Sequence, residues 1–256
     1  MGSIGRKAMI SVLPKLKNKY KADFVITNAE NLAHGKGVTT KTLDQLKNTG
    51  VDFFTSGNHV YSKGNYKKIV DSNEYNIIAP ANDPRTPKNN GYKLVDVNDK
   101  KIFILNLLGR TFINERNIEC PFKTFDKLYK KIKDEKPDFT ILDFHAEATS
   151  EKVAMGHYVD GKIDAQIGTH THIQTSDSRM LPNKTLYITD IGMVGAKESV
   201  IGIEKEIIIE KFLKDSKIVF DLPKIGETII SGVYLELNEN KKNNSIKLIN
   251  EFVEIK

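Results

Sequence analysis

Short apolar segments alternate with polar loops and amphipathic segments along much of the chain, and this alternation constrains the fold more than any other feature. Residues 22–27 and 51–56 are predicted strands, and the segments 39–48 and 65–71 that follow them are predicted helices. An amphipathic helix over 122–134 precedes further apolar strands at 138–144 and 163–168. Strands that alternate with helices predict an α/β fold in which helices cover the sheet faces.

The remaining segments predict a mixed sheet. A helical spacing over 4–20 is interrupted by Pro14. Residues 91–97 and 101–107 read as a hairpin around the turn 98–100, and residues 228–237 and 245–255 read as an antiparallel pair. No internal repeat or clear linker interrupts the chain, so we expect one domain over residues 1–256, an α/β sandwich with mixed sheets.

Composition excludes some classes of protein. The longest apolar runs fall far short of the roughly 20 residues that a membrane-spanning helix needs. The N-terminus shows no signal-peptide pattern, and the single cysteine, Cys120, fits a reducing compartment, so we expect a cytoplasmic location. The net charge of +6 comes mainly from dispersed lysines. This pattern argues against a nucleic-acid groove but favours the approach of an anionic substrate.

Four predicted strands end in side chains that can bind metal ions. These tips are Asn28-Ala29-Glu30-Asn31, Gly57-Asn58-His59, His145 with Glu147, and Gly168-Thr169-His170-Thr171-His172. Ligands of open α/β sheets gather beyond the carboxyl ends of the strands. If the four strands share one parallel sheet, their tips converge.

The donor types at these tips indicate a metal site without thiolate ligands. Nitrogen and oxygen donors suit Mn²⁺, Fe or Zn²⁺. In an extended segment His170 and His172 would point the same way. A carboxylate such as Glu30 can bridge two cations. Gly57 and Gly168 are expected to allow the tight turns that direct the tips inward.

Each of these side chains taken alone also has an ordinary explanation. His59 can be a surface-loop histidine, His145 can cap a turn, and Glu30 can be a solvated charge. We expect Glu147 and Glu151 to begin a helix, where carboxylates are favourable, and therefore not to bind metal. The other two histidines, His34 and His157, lack a strand-end context and are expected at the surface or behind the ligands.

Several motifs resemble those of calcineurin-like metallophosphoesterases, notably Gly57-Asn58-His59 and Gly168-Thr169-His170-Thr171-His172. Longer segments are similar to the bacterial YmdB-type cyclic-nucleotide phosphodiesterases. These segments are residues 28–37, residues 143–152, Leu108-Gly109-Arg110-Thr111-Phe112 and Thr189-Asp190-Ile191-Gly192-Met193. The resemblance covers nearly the whole chain.

The resemblance implies a four-layer αββα sandwich, the metallo-dependent phosphatase fold, with a centre of two divalent or trivalent metal ions. Iron or manganese is expected, with zinc as a further option, and the implied substrates are 2′,3′-cyclic nucleotides. By position, Glu30 would bridge the ions. Asn31 and His172 would complete the shell of one ion, and Asn58, His145 and His170 would hold the other.

The implied reaction is the in-line attack of a metal-bridging hydroxide on phosphorus, with His59 as the general acid that protonates the leaving ribose oxygen. Arg110 is a candidate for phosphate binding, with a structural salt bridge as the alternative. A phosphomonoesterase or nucleotidase on the same scaffold is the second hypothesis, and a metal-impaired protein that binds RNA or a protein partner is the third. The oligomeric state stays open, with a homo-oligomer allowed.

The chain departs from the family pattern at its start. The family opens with a strand that ends in a glycine-aspartate pair, three residues before the position matched here by Gly2-Ser3. That strand and its metal-binding aspartate would lie upstream of Met1, and we favour a sequence that begins at an internal methionine. A protein truly without them is expected to have a gap in its sheet, weaker metal binding at Asn31 and His172, and poor turnover.

Overall fold

The computed structural model describes residues 1–72, 74–214 and 219–256. Its helices are α1 Gly2–Tyr20, α2 Thr40–Lys47, α3 Tyr66–Asp71, α4 Pro121–Glu135, α5 Thr149–Val159 and α6 Lys205–Lys214. Its strands are β1 Ile26–Asn28, β2 Phe53–Thr55, β3 Tyr92–Val97, β4 Lys100–Leu108, β5 Phe139–His145, β6 Ala165–Thr169, β7 Arg179–Met180, β8 Leu186–Ile188, β9 Val194–Ala196, β10 Gly226–Glu236 and β11 Ser245–Ile255. Within the described ranges, no helix combines the length and apolar character that crossing a bilayer requires.

The strands form three hydrogen-bonded sheets. β1 pairs with β2 in parallel, and β10 pairs antiparallel with both β11 and β9. The largest sheet has the order β3-β4-β5-β6-β8-β7, in which β4, β5, β6 and β8 are parallel and the edge strands β3 and β7 are antiparallel. The predicted pairing of β3 with β4 and of β10 with β11 is confirmed.

Three apolar clusters define four layers. One cluster joins α1 and α2 to β1, β2 and the sheet of β9–β11, and another joins α4 and α5 to the six-stranded sheet. The third cluster lies between the sheets. Side chains that alternate along a strand point to opposite faces of the sheet, so one strand contributes to two clusters. In β4, Ile102 and Ile104 belong to the cluster between the sheets, whereas Phe103 belongs to the cluster under the helices. The predicted αββα sandwich is therefore confirmed.

Pro14 does not interrupt the first helix, contrary to the sequence-based expectation. Helix α1 continues through it to Tyr20. The buried face of α1, which includes Ile4, Ala8 and Val12, packs on the sheet of β9–β11. Burial of such side chains contributes about 1.5–3 kcal/mol each, which offsets the roughly 3 kcal/mol that an interior proline costs a helix.

A cavity of about 780 Å³ lies beside β1. Apolar side chains of β1, β4, β5 and β10 line it, among them Ile26, Ile104 and Val233, and its lining also includes Glu30 and His145. The cavity therefore extends from the interior of the sandwich to the strand tips. The additional strand upstream of Met1 stays a prediction.

Candidate metal centre

The four predicted strand tips meet, although they do not belong to one sheet as expected. Glu30 and Asn58 follow β1 and β2, which form the two-stranded sheet, whereas His145 and His170 lie at the ends of β5 and β6 in the six-stranded sheet. Because the carboxyl ends of both parallel arrays point to the same edge of the sandwich, their side chains converge. The site thus lies across the boundary between two sheets.

Glu30, His145 and His170 form the centre of the cluster. One ligand atom from each lies within 4.8 Å of the others. His145 Nε2 is 2.9 Å from Glu30 Oε2 and 3.0 Å from His170 Nδ1. The other nitrogen of His145, Nδ1, lies 2.9 Å from Thr169 Oγ1. The His145 imidazole thus presents Nε2 to the cluster, and its orientation is fixed by the contact of Nδ1 with Thr169.

The two predicted asparagines each have a side-chain oxygen that is buried. Asn31 Nδ2 lies 3.0 Å from His172 Nε2, and Asn58 Nδ2 donates to Glu115 Oε1 at 3.3 Å. Their oxygens, Asn31 Oδ1 and Asn58 Oδ1, are buried and have no hydrogen-bond partner in the described parts of the chain. Buried acceptors without a partner cost about 1–3 kcal/mol, and a bound cation would satisfy them. The donor set therefore fits hard or borderline metal ions bound by imidazole, carboxylate and amide oxygen.

The electrostatics favour the metal-binding forms of Glu30, His170 and His172, but not that of His145: burial lowers the pKa of His145, and the charge and hydrogen bond of Glu30 outweigh this and raise it. Burial alone would raise the pKa of Glu30, but the charge of His145 and hydrogen bonds from His145 and the His59 amide lower it to about 2. Burial and the charge of His145 lower the pKa of His170 to about 3, and burial lowers that of His172. Glu30 is therefore ionised and both His170 and His172 are neutral near pH 7, which are the forms that bind metal ions.

Two acidic residues that were not predicted to act here support the ligands. Glu147 does not begin a helix as expected, since α5 starts at Thr149; its Oε2 lies 2.9 Å from His170 Nε2. Asp143 Oδ1 accepts from Thr169 Oγ1 at 2.6 Å, so the chain His145–Thr169–Asp143 orients the imidazole. Carboxylates behind ligating histidines fix ring orientation and tautomer. The position of Glu147 two residues after His145 was the available sequence signal.

The amide of Asn58 is oriented by a chain of charges. Glu115 accepts from Asn58, and its other oxygen lies 3.0 Å from Arg85 Nη2. Arg85 is held by the buried carboxylate of Asp83 at 2.6 Å, and its guanidinium lies 4.3 Å from the centre of the Tyr61 ring. Nδ2 of Asn58 is thus committed to Glu115, and Oδ1 is left buried without a hydrogen-bond partner among the described residues.

The segment that carries His170 and His172 is not extended, contrary to the prediction. Strand β6 ends at Thr169, and the two histidines have φ values of 109° and 66°, in the left-handed region. The buried Lys152 Nζ donates to Thr169 O at 2.7 Å and contacts Asp190 Oδ2 at 2.6 Å. The same Asp190 oxygen accepts from Thr171 N at 3.0 Å. This buried ion pair stabilises the strained turn and directs both imidazoles to the site.

The two glycines at the tips are needed for space. Gly57 is extended, and a Cβ there would lie 2.4 Å from His145 Nε2. A Cβ on Gly168 would lie 1.7 Å from Thr189 O. Neither glycine has a positive φ, and Gly168 lies within β6, so the expectation that they allow tight turns is wrong. Close packing, which excludes a side chain at both positions, is the reason for glycine there.

The proposed acid His59 lies next to the cluster. Its amide donates to Glu30 Oε1 at 3.0 Å, and its side chain is half-buried. Burial lowers the pKa of its imidazole, opposed by the charge of Glu30. His34 and His157 are exposed. Of the seven predicted site residues, Glu30, His145 and His170 cluster, and Asn31 and His172 line the same cavity. His59 contacts Glu30, and the neighbouring Asn58 is hydrogen-bonded to Glu115. Their roles as ligands and general acid stay predictions.

Arg110 lies in the loop after β4, beside the same edge. Gly109 N donates to His145 O at 2.9 Å, and the Glu151 carboxylate accepts from Arg110 N and Thr111 N at 3.1 Å. The Arg110 side chain is exposed and forms no ion pair with any residue in the described ranges. The alternative interpretation of Arg110 as part of a structural salt bridge is therefore not supported.

Comparison with known proteins identifies relatives over nearly the full length of the chain. A 2′,3′-cyclic-nucleotide 2′-phosphodiesterase of Bacillus subtilis is 41% identical over 242 residues, which cover 94% of this chain and 90% of that protein. The crystal structure of a phosphatase from Mycoplasma pneumoniae has a TM-score of 0.89 at 36% identity and covers 99% of this chain and 90% of that one.

More distant structures share the fold alone. An NAD nucleotidase of Haemophilus influenzae has a TM-score of 0.51 at 15% identity, covering 98% of this chain and 49% of that one. The family described as YmdB-like protein matches residues 1–249. On this match and on the identity to its relatives, the chain belongs to the YmdB-like protein family.

Proposed function

We propose that this protein is a metal-dependent phosphodiesterase that hydrolyses 2′,3′-cyclic nucleotides with two metal ions. The observation that carries the proposal is the convergence of Glu30, His145 and His170 within 4.8 Å. The buried side-chain oxygens of Asn31 and Asn58, which have no hydrogen-bond partner in the described ranges, support it. The activity of the Bacillus subtilis relative supports the substrate class. The single cysteine supports a cytoplasmic location.

The ligands divide into two groups. Glu30, His145, His170 and Asn58 would hold one ion, Asn31 and His172 would hold the second, and Glu30 would be shared by both. Iron or manganese suits this nitrogen and oxygen donor set, with zinc as an alternative. Bound ions would supply Lewis acidity and an activated water.

Two side chains of the protein, those of Arg110 and His59, bind the substrate and protonate its leaving oxygen, respectively. Arg110 offers an exposed guanidinium for the phosphate, because none of its donors is committed to a carboxylate. His59 gives its proton to the ribose oxygen as the P–O bond breaks. Its lowered pKa makes the imidazolium a stronger acid, at the expense of its population near neutral pH.

The test compares metal-free and reloaded protein. The full chain, stripped with a chelator, is expected to lose hydrolysis of adenosine 2′,3′-cyclic phosphate and to regain it with Mn²⁺ or Fe²⁺. Metal analysis of wild type and His145→Ala separates binding from turnover. Full activity in the chelated protein, with no metal detected, would rule out the proposal.

A second candidate function is phosphomonoesterase activity at the same site, favoured by the phosphatase from Mycoplasma pneumoniae. Hydrolysis of the cyclic nucleotide and of the corresponding monoester, compared at saturating Mn²⁺, distinguishes the two. A higher kcat/KM for the monoester would favour this candidate.

A further inference from the structure

The loop after β4 presents an aromatic side chain to solvent. Phe112 is 84% exposed, and its φ of 61° lies in the left-handed region. A bulky residue in that region is strained by roughly 1–2 kcal/mol. Exposure of the ring also forgoes the 1.5–3 kcal/mol or so that burial would provide. Neither local conformation nor packing therefore explains a phenylalanine here, and strain of this kind is typical of functional sites.

The loop is attached to the metal centre on both sides of Phe112. Upstream, Gly109 N donates to His145 O, and Glu151 accepts from the amides of Arg110 and Thr111. Downstream, Glu115 accepts from the side chain of Asn58 and pairs with Arg85. The neighbouring Ile113 is buried, which fixes the middle of the loop.

These attachments limit how far Phe112 can lie from the site. Phe112 is three residues from Gly109 and three from Glu115, and three residues span at most about 11 Å. Gly109 and Glu115 contact His145 and Asn58, respectively, both of which are proposed ligands. The Cα atom of Phe112 thus lies within about 11 Å of the Cα atoms of Gly109 and Glu115, and Phe112 is two residues from the exposed guanidinium of Arg110.

We propose that Phe112 forms a nucleobase-binding surface, on which the base of the substrate stacks while its phosphate is at the metal centre. The inference rests on the proposed function, and it assigns to Phe112 the binding of the base at that site. Aromatic rings stack on any base because every base has a π-face, and purines offer the larger face. The surface therefore accepts all four nucleosides with a preference for purines.

The experiment uses the full chain loaded with Mn²⁺ and two substrates, adenosine 2′,3′-cyclic phosphate and the methyl riboside 2,3-cyclic phosphate, which lacks a base. For Phe112→Ala we expect kcat/KM on the nucleotide to fall about tenfold, through KM. On the base-free substrate kcat/KM should change by less than about twofold. Phe112→Trp should restore the nucleotide value.

Phe212→Ala is the matched control, since Phe212 is 80% exposed on α6 and belongs to a different element. It should leave both substrates unchanged. Unaltered hydrolysis of the nucleotide by Phe112→Ala would overturn the inference. An equal loss on both substrates would also overturn it, because the ring would then act without the base.

A measurement of the equilibrium binding of adenosine 3′-monophosphate tests the stacking surface independently of the proposed function. If the wild type hydrolyses no cyclic nucleotide, the proposed function fails. Weaker binding of the monophosphate by Phe112→Ala would still support the stacking surface, and equal binding would refute it.

Discussion

At the residue scale, proton donation by His59 can be separated from metal binding. The hydrogen bond from His59 to Glu30 is donated by the backbone amide of His59, so it survives removal of the imidazole. We expect His59→Ala to retain its metal but to lose about 10²–10⁴-fold in kcat on cyclic nucleotides, whose ribose oxygen is a poor leaving group. A p-nitrophenyl phosphodiester, whose leaving group needs no proton, should lose far less.

Metal analysis and steady-state kinetics on both substrates provide the measurement. His157→Ala serves as the control, because His157 is exposed on α5. Equal losses on the two substrates would show that His59 is not the acid.

The orientation of Asn58 makes a second prediction at this scale. Without Glu115, Nδ2 of Asn58 loses its acceptor and the amide is free to rotate. We expect Glu115→Ala to weaken Mn²⁺ binding by about 10–100-fold, as measured by titration of the metal-free protein. Glu115→Gln, which keeps an acceptor oxygen, should retain most of the affinity.

Glu119→Ala is a matched control from the same loop, since Glu119 pairs only with the exposed Lys127. Unchanged affinity in Glu115→Ala would mean that other contacts fix the Asn58 amide.

The cluster of Glu30, His145 and His170 could be predicted from the sequence, whereas the contacts of Glu115 and Arg85 could not. His145 and His170 follow apolar runs, so their place at strand ends could be inferred. Glu115 and Arg85 lie in irregular loops, and their contacts with Asn58 depend on how distant segments pack. No periodicity encodes such contacts.

At the scale of elements, the turn after β6 is held by a buried ion pair. Lys152 on α5 and Asp190 after β8 are both fully buried and lie 2.6 Å apart. Lys152→Met would leave the Asp190 carboxylate buried without its cation. We expect a loss of about 3–5 kcal/mol in the free energy of unfolding, measured by urea denaturation.

The double variant Lys152→Met/Asp190→Asn should lose less than Lys152→Met alone, because no uncompensated charge remains. Lys162→Met is a suitable control, since Lys162 lies near the end of α5 and contacts the Tyr158 ring. A Lys152→Met variant as stable as the wild type would show that the pair does not stabilise this turn.

The sequence-based account of this turn failed for a physical reason. Alternation with threonine predicted an extended segment for His170 and His172, but both adopt left-handed backbone. The hydrogen bonds that Lys152 donates to Thr169 O and that Asp190 accepts from Thr171 N offset the local preference. Both imidazoles line the same cavity, although the segment that carries them is not extended.

At the scale of the whole molecule, the site lies where the two-stranded and the six-stranded sheets meet. Glu30 and Asn58 follow strands of the two-stranded sheet, and His145 and His170 end strands of the six-stranded sheet. Between these sheets, Asn28 Nδ2 donates to Asp143 Oδ2 at 3.0 Å. An ion bound by all four ligands would therefore link the sheets at their carboxyl edge.

This arrangement predicts that metal stabilises the fold as well as the reaction. The ligands come from distant parts of the sequence, so the unfolded chain has no comparable site, and binding adds to the free energy of unfolding. Each ion present at about one hundred times its Kd should contribute about 2.7 kcal/mol. The measurement is the urea midpoint of the chelated protein with and without Mn²⁺.

His145→Ala provides the comparison, because it removes a ligand from the centre of the cluster. Its midpoint in the absence of metal reports the cost of the substitution itself, and Mn²⁺ should raise that midpoint much less than in the wild type. A wild-type midpoint that does not respond to Mn²⁺, in protein shown to bind it, would mean that the ion also binds the unfolded chain. An equal response in His145→Ala would place the stabilising ion elsewhere, and the link between the sheets would have to be abandoned.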